Sequence, residues 1–108
     1  MSAANKSKYV AIGSFVENAT PAQLNTFMST EVPATLKLYL DGKMEQFWLR
    51  HDGKGVIFLM TTDTAEEADI LLKGLPLGEA DLLRFELIPV GNLVPLGILM
   101  GEQFAIGK

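Results

Sequence analysis

The chain contains no cysteine, which removes disulfides, thiolate nucleophiles, iron–sulfur clusters and cysteine-ligated zinc together. Histidine occurs once, at His51, so a His-rich metal site is excluded and we assign no metal ligands. Basic residues are few: Lys+Arg 9 against Asp+Glu 13 gives a net charge of -4. They form no cluster that could neutralise a run of phosphates, so nucleic acid is not an expected partner. Apolar runs stay short of the roughly 18 residues needed to span a bilayer, which argues against a membrane partner. Lys6 and Lys8 before Tyr9 to Val16 imitate a signal peptide only faintly, because that stretch is short and alternates. A cytoplasmic protein is therefore expected, in which the Asn18-Ala19-Thr20 sequon has no consequence.

What is present is a globular composition, 48% hydrophobic and 20% charged over 108 residues. This length suits one domain, able to bury roughly 65% of the surface its unfolded chain exposes. Residues 1–7 are polar and small and read as a loose end. Tyr9 to Val16 reads as a strand, with Val10, Ile12, Ser14 and Val16 on one face and Tyr9, Ala11, Gly13 and Phe15 on the other. Thr20-Pro21-Ala22-Gln23 is a strong helix start, since Thr20 and Gln23 can satisfy each other's backbone amides and Pro21 needs no donor there. In the helix that follows, Leu24, Phe27 and Met28 share a side, Glu31 continues their row and Leu38 returns to it. Pro33 predicts a kink or a break with a restart, and Asp41-Gly42 the end.

Lys43 to His51 alternates, with Phe47 and Leu49 on a face suited to the helices and Gln46, Trp48 and Arg50 on the other. The Asp52-Gly53-Lys54-Gly55 turn then leads into an apolar run, Val56 to Thr62, suggesting an antiparallel hairpin whose second strand is covered on both faces. Asp63 or Thr64 caps a second helix, in which Thr64 and Glu67 form another capping-box pattern and Ala65, Ala68, Leu71 and Leu72 make the buried stripe. Gly74 ends it, and Leu83 to Val90 is the last strand, with Phe85 and Leu87 opposite Arg84, Glu86 and Ile88. The order β-α-β-β-α-β with right-handed crossovers predicts an α+β, ferredoxin-like, four-stranded antiparallel sheet with both helices on one side.

The other side would carry Tyr9, Ala11, Gly13, Phe15, Gln46, Trp48, Arg50, Arg84, Glu86 and Ile88. That mixture is too aromatic for plain solvent and too charged for an ordinary core. It suits a sheet packed on a second copy of itself around a partly enclosed cavity. The apolar tail of residues 91–108, with Leu93, Val94, Leu96, Ile98 and Phe104, is expected to pack on its own subunit or on the partner.

Residues 21–90 resemble the muconolactone isomerase family of the dimeric α/β-barrel superfamily. The resemblance lies in Gly42 closing the first helical arm, Trp48 six residues later, the hairpin into Val56-Ile57-Phe58, Glu66-Glu67-Ala68, Leu75-Pro76-Leu77 and Phe85-Glu86-Leu87. It implies a dimeric α/β barrel, at least a homodimer, and a cofactor-independent enzyme moving protons on a small anionic organic molecule such as a lactone or an oxidised aromatic. The superfamily also holds oxygenases, haem enzymes and proteins without established activity, so the alternative is a non-catalytic ligand-binding or assembly module on the same fold.

The candidate site residues are Glu86 as the catalytic proton carrier and Trp48, Arg50, Arg84 and Tyr9 as ligand-binding groups. Arg50 would hold an anion through its fork and Trp48 would pack on the ligand's plane. Each has a plainer reading: Trp48 as a dimer-packing aromatic, and both arginines as salt-bridge partners of Glu86. His51, the only available haem ligand, abuts a turn and reads as a solvated loop residue.

Overall fold

A computed structural model describes residues 7–91. The expectations for the loose N-terminal end and for the apolar tail fall on residues 1–6 and 92–108, outside the described residues. The elements are β1 (Ser7–Phe15), α1 (Pro21–Leu40), β2 (Met44–Leu49), β3 (Gly55–Thr62), α2 (Ala65–Lys73), α3 (Pro76–Glu79) and β4 (Leu83–Val90). The short α3, built on Pro76-Leu77-Gly78-Glu79, is an element the periodicity did not foretell.

Local chemistry fixes the helix ends. The Gln23 amide donates to Thr20 Oγ1 at 3.1 Å while the Thr20 amide donates to Gln23 Oε1 at 2.9 Å, closing the expected capping box. α1 does not break at Pro33 but runs through it for 20 residues. Pro33 and Ser29, whose carbonyl loses the Pro33 amide, are both exposed, so water meets the orphaned group. Breaking the helix would instead detach the buried Leu38 from the core. In α2 the Glu67 amide donates to Thr64 Oγ1 at 3.0 Å, and the Glu67 carboxylate reaches back to the Asp63 amide, one residue earlier than in the standard box. Of the expected stripe, Ala68 and Leu72 are fully buried and Leu71 partly so, whereas Ala65 is exposed in the first turn.

The four strands form one antiparallel sheet in the order β2-β3-β1-β4, with β1 and β3 central. Opposed residues share a face, so the ladders place Phe47, Phe58, Ala11 and Leu87 in one lateral row and Leu49, Val56, Gly13 and Phe85 in the next. This face meets the helices: Tyr9, Ala11, Phe58 and Met60 share one buried cluster with Leu38 of α1 and with Ala68 and Leu72 of α2.

The expected faces of β2 and β4 are observed, and that of β1 is reversed. Tyr9, Ala11 and Gly13 point into the core, whereas Val10, Ile12 and Ser14 lie on the open face. The cause is volume rather than polarity. β1 is flanked by two aromatic strands, and the rings of Phe58 and Phe85, 5.5 Å apart, meet above it. A Cβ on Gly13 would sit 2.6 Å from Phe85 Cε1, so the small side of β1 has to lie under those rings. The open face carries Val10, Ile12, Ile57 and Leu59 between Trp48 at one edge and Glu86 and Ile88 at the other.

Candidate functional site

The helix side of the sheet is not fully closed. Between α1 and the β2–β3 hairpin lies a pocket of about 340 Å³, walled by Met28, Phe47, Val56, Phe58, Leu77 and Leu83, with Trp48 and Leu49 at its β2 side. This volume lies at the lower end of the range for small-molecule sites. Only two lining residues other than Trp48 carry a polar side chain, Glu31 and Thr35, and the Thr35 hydroxyl is spent on the Glu31 backbone carbonyl at 2.9 Å. The one titratable group facing this space is the Glu31 carboxyl.

Glu31 is only 6% exposed. The helical row that begins with Leu24, Phe27 and Met28 carries it inward, and its Oε1 accepts from the Leu77 amide at 2.9 Å. No other described residue donates to the carboxyl, yet no fully buried side-chain oxygen is left unpaired, so Oε2 keeps some exposure on a residue that lines the pocket. Burial pushes the Glu31 carboxyl above the ordinary glutamate value, partly offset by the Leu77 hydrogen bond, which favours the anion. A carboxyl in this setting keeps its proton to higher pH than a solvated one and is a stronger base once it loses it.

The residues singled out from sequence are distributed differently. Tyr9, expected on the ligand face, is a core side chain at 8% exposure. Trp48 and Glu86 share the open face and even one lateral row, Trp48-Ile57-Ile12-Glu86. They stand on opposite edges, however, and three inter-strand steps of about 4.8 Å separate them by about 14 Å, too far to grip one small ligand within a single chain. Glu86 is exposed and does not line the pocket. Neither arginine pairs with it. Arg84 donates to both oxygens of Asp81, at 3.2 and 3.0 Å, from the exposed surface.

Arg50 crosses over β3 to reach β1, donating to Ser14 Oγ at 2.7 Å and to the Gly13 carbonyl at 3.2 Å, while its other nitrogen holds Asp52 at 2.6 Å. The crossing needs Gly55, where a Cβ would fall 1.8 Å from the Gly13 carbonyl oxygen. His51 is exposed in the turn, as its position suggested. Sequence reasoning placed Glu31 on the apolar row of α1 but did not single it out. The signal was the row itself, because a glutamate continuing an apolar stripe must be buried, and a buried acid has to find a donor or keep its proton. Among the described residues no group of three or more His, Asp or Glu side chains has the geometry to hold a metal ion, and no helix is long and apolar enough to cross a membrane. No protein-family model matches the chain, and no curated protein does.

Proposed function

We propose that the chain is a small cytoplasmic enzyme that moves a proton on a small organic molecule without a cofactor, with Glu31 as the proton carrier. The observation that carries this reading is a buried carboxyl, one oxygen held by the Leu77 amide and the other without a described hydrogen bond, on a residue that lines an otherwise apolar pocket. A ligand with a flat apolar body can displace water there and present an acidic C–H beside a carbonyl. Glu31 takes that proton, leaving an enolate, and returns it to another carbon of the conjugated system, so the product is an isomer and no further reactant is consumed. Such chemistry is what resemblance to the muconolactone isomerases implies, with the acid–base role moved from Glu86 to Glu31.

The test is deuterium exchange. The protein in heavy water, supplied with a small unsaturated lactone or cyclic enone, should exchange the hydrogen next to the carbonyl, read by proton NMR. Glu31→Gln, which keeps an acceptor for Leu77, should abolish the exchange. Exchange that continues at the same rate in Glu31→Gln removes Glu31 from the mechanism.

The second part of the proposal is self-association as a ferredoxin-like dimeric α/β barrel. Its support is the open sheet face, where Val10, Ile12, Ile57 and Leu59 form a central apolar band with Trp48 and Ile88 exposed at its edges. Two sheets packed face to face about a two-fold axis parallel to the strands would set the Trp48 edge of one copy over the Glu86 edge of the other. If no exchange is found with any carbonyl compound, the non-catalytic assembly reading takes its place, resting on this face alone.

A further inference from the structure

A second pocket opens at the end of the sheet where the β1–α1 connection meets the β2–β3 turn. It measures about 430 Å³ and differs in character from the first, since its polar walls are Ser14, Glu17, Arg50 and Lys54. The two pockets share one side chain, Phe15. The backbone holds that residue in place, because the Phe15 amide donates to the Lys54 carbonyl at 2.9 Å. Leu49 lines the apolar pocket and its neighbour Arg50 lines the polar one. The cavities therefore adjoin across Phe15 and the Leu49–Arg50 step.

We infer that they are two halves of one site, for an amphiphilic carboxylic acid whose apolar body lies against Glu31 and whose carboxylate lies beyond Phe15 against Lys54 and Arg50. This deepens the proton-transfer reading and rests on it.

The charges decide the sign of the head group. Two cations and one carboxylate, Glu17, line the second pocket, and Lys54 makes no salt bridge among the described residues, acting on Asp52 only through space. Arg50 is partly neutralised by Asp52, but its three hydrogen bonds leave two of its five N–H donors unspent. An acid wholly inside the first pocket would set its carboxylate beside Glu31 with no cation in the wall, a repulsion that the two-pocket arrangement removes.

The probes are naphthoate and its uncharged methyl ester, titrated against the fluorescence of Trp48, the single tryptophan, which lines the first pocket. Naphthoate should bind more tightly than the ester at low salt and lose that advantage as salt rises. Lys54→Ala should weaken naphthoate by about tenfold, the size of one charge-assisted contact, while leaving the ester unchanged. Lys54 is exposed in a turn, so the substitution spares the fold, whereas Arg50 ties β2 to β1 and its removal would not. Equal binding of acid and ester, with both indifferent to Lys54→Ala, overturns the two-pocket inference and leaves the apolar pocket standing. Failure of both probes to bind counts against the pocket reading itself, and with it this inference.

Discussion

Replacing Glu31 tests whether its carboxyl is as desolvated as its position requires. Three variants separate its contributions. Glu31→Gln keeps an acceptor for the Leu77 amide and removes the charge. Glu31→Leu fills the space but leaves that buried amide unpaired, and Glu31→Ala does the same with a larger void. An orphaned buried donor costs about 1–3 kcal/mol, so the leucine and alanine variants should fall below the glutamine variant by at least that, alanine by more. The pH dependence is sharper evidence. Burial raises the Glu31 carboxyl in the folded state, so folding favours its protonated form. The stability this contributes is fully present below the unfolded glutamate value of about 4.3 and is lost as pH rises through the folded value. Asp52, Asp81 and Glu45 are held low by their partners and contribute with the opposite sign, their share being lost as pH falls. Urea melts of the wild type and Glu31→Gln across the acid-to-neutral range cancel those carboxylates in the difference. That difference should shift steadily in favour of the glutamine variant with rising pH. A difference that does not change with pH would mean that water solvates Glu31 fully, and the acid–base role built on its burial would go with it.

Gly55→Ala should prevent folding or cost more than about 3 kcal/mol by urea melt, since its Cβ meets only β1 backbone at Gly13 and Ser14, which cannot move aside; a variant as stable as wild type would contradict the β1–β3 register. Thr64→Ala removes the N-cap acceptor of α2 and should cost about 1 kcal/mol by the same measurement, whereas an unchanged midpoint would show that the cap contributes nothing. Ile12→Lys places a charge at the centre of the open face, so sedimentation should show monomers with the melting of the fold little changed; a wild type already monomeric at micromolar concentration would dispose of the association proposal. Tyr9→Ala, in contrast, should destabilise by about 3–5 kcal/mol at any protein concentration, because Tyr9 belongs to the core.

Much of the architecture was legible in the sequence, wherever the signal is local. The Thr20-Pro21-Ala22-Gln23 box, the Asp41-Gly42 stop, the glycine-bearing turn before Gly55 and the alternation of Leu83 to Val90 each depend on neighbours within a few residues. The element order then leaves few sheet topologies open. Alternation also sorts the side chains of a strand into two sets, but it does not say which set faces in when both are apolar. For β1 only the tertiary structure decided. Phe58 and Phe85 arrive from β3 and β4, and their rings need the volume that Ala11 and Gly13 leave free, so the bulkier Val10 and Ile12 turn outward. The placement of the candidate site residues depends on tertiary structure in the same way. Face parity put Trp48 and Glu86 together correctly but carries no information on lateral distance, which strand order alone sets. Glu31 was already visible as the acid on an apolar helical row. Its partner, the Leu77 amide, is 46 positions away, and only the docking of α3 against α1 brings that donor and the pocket to the same carboxyl.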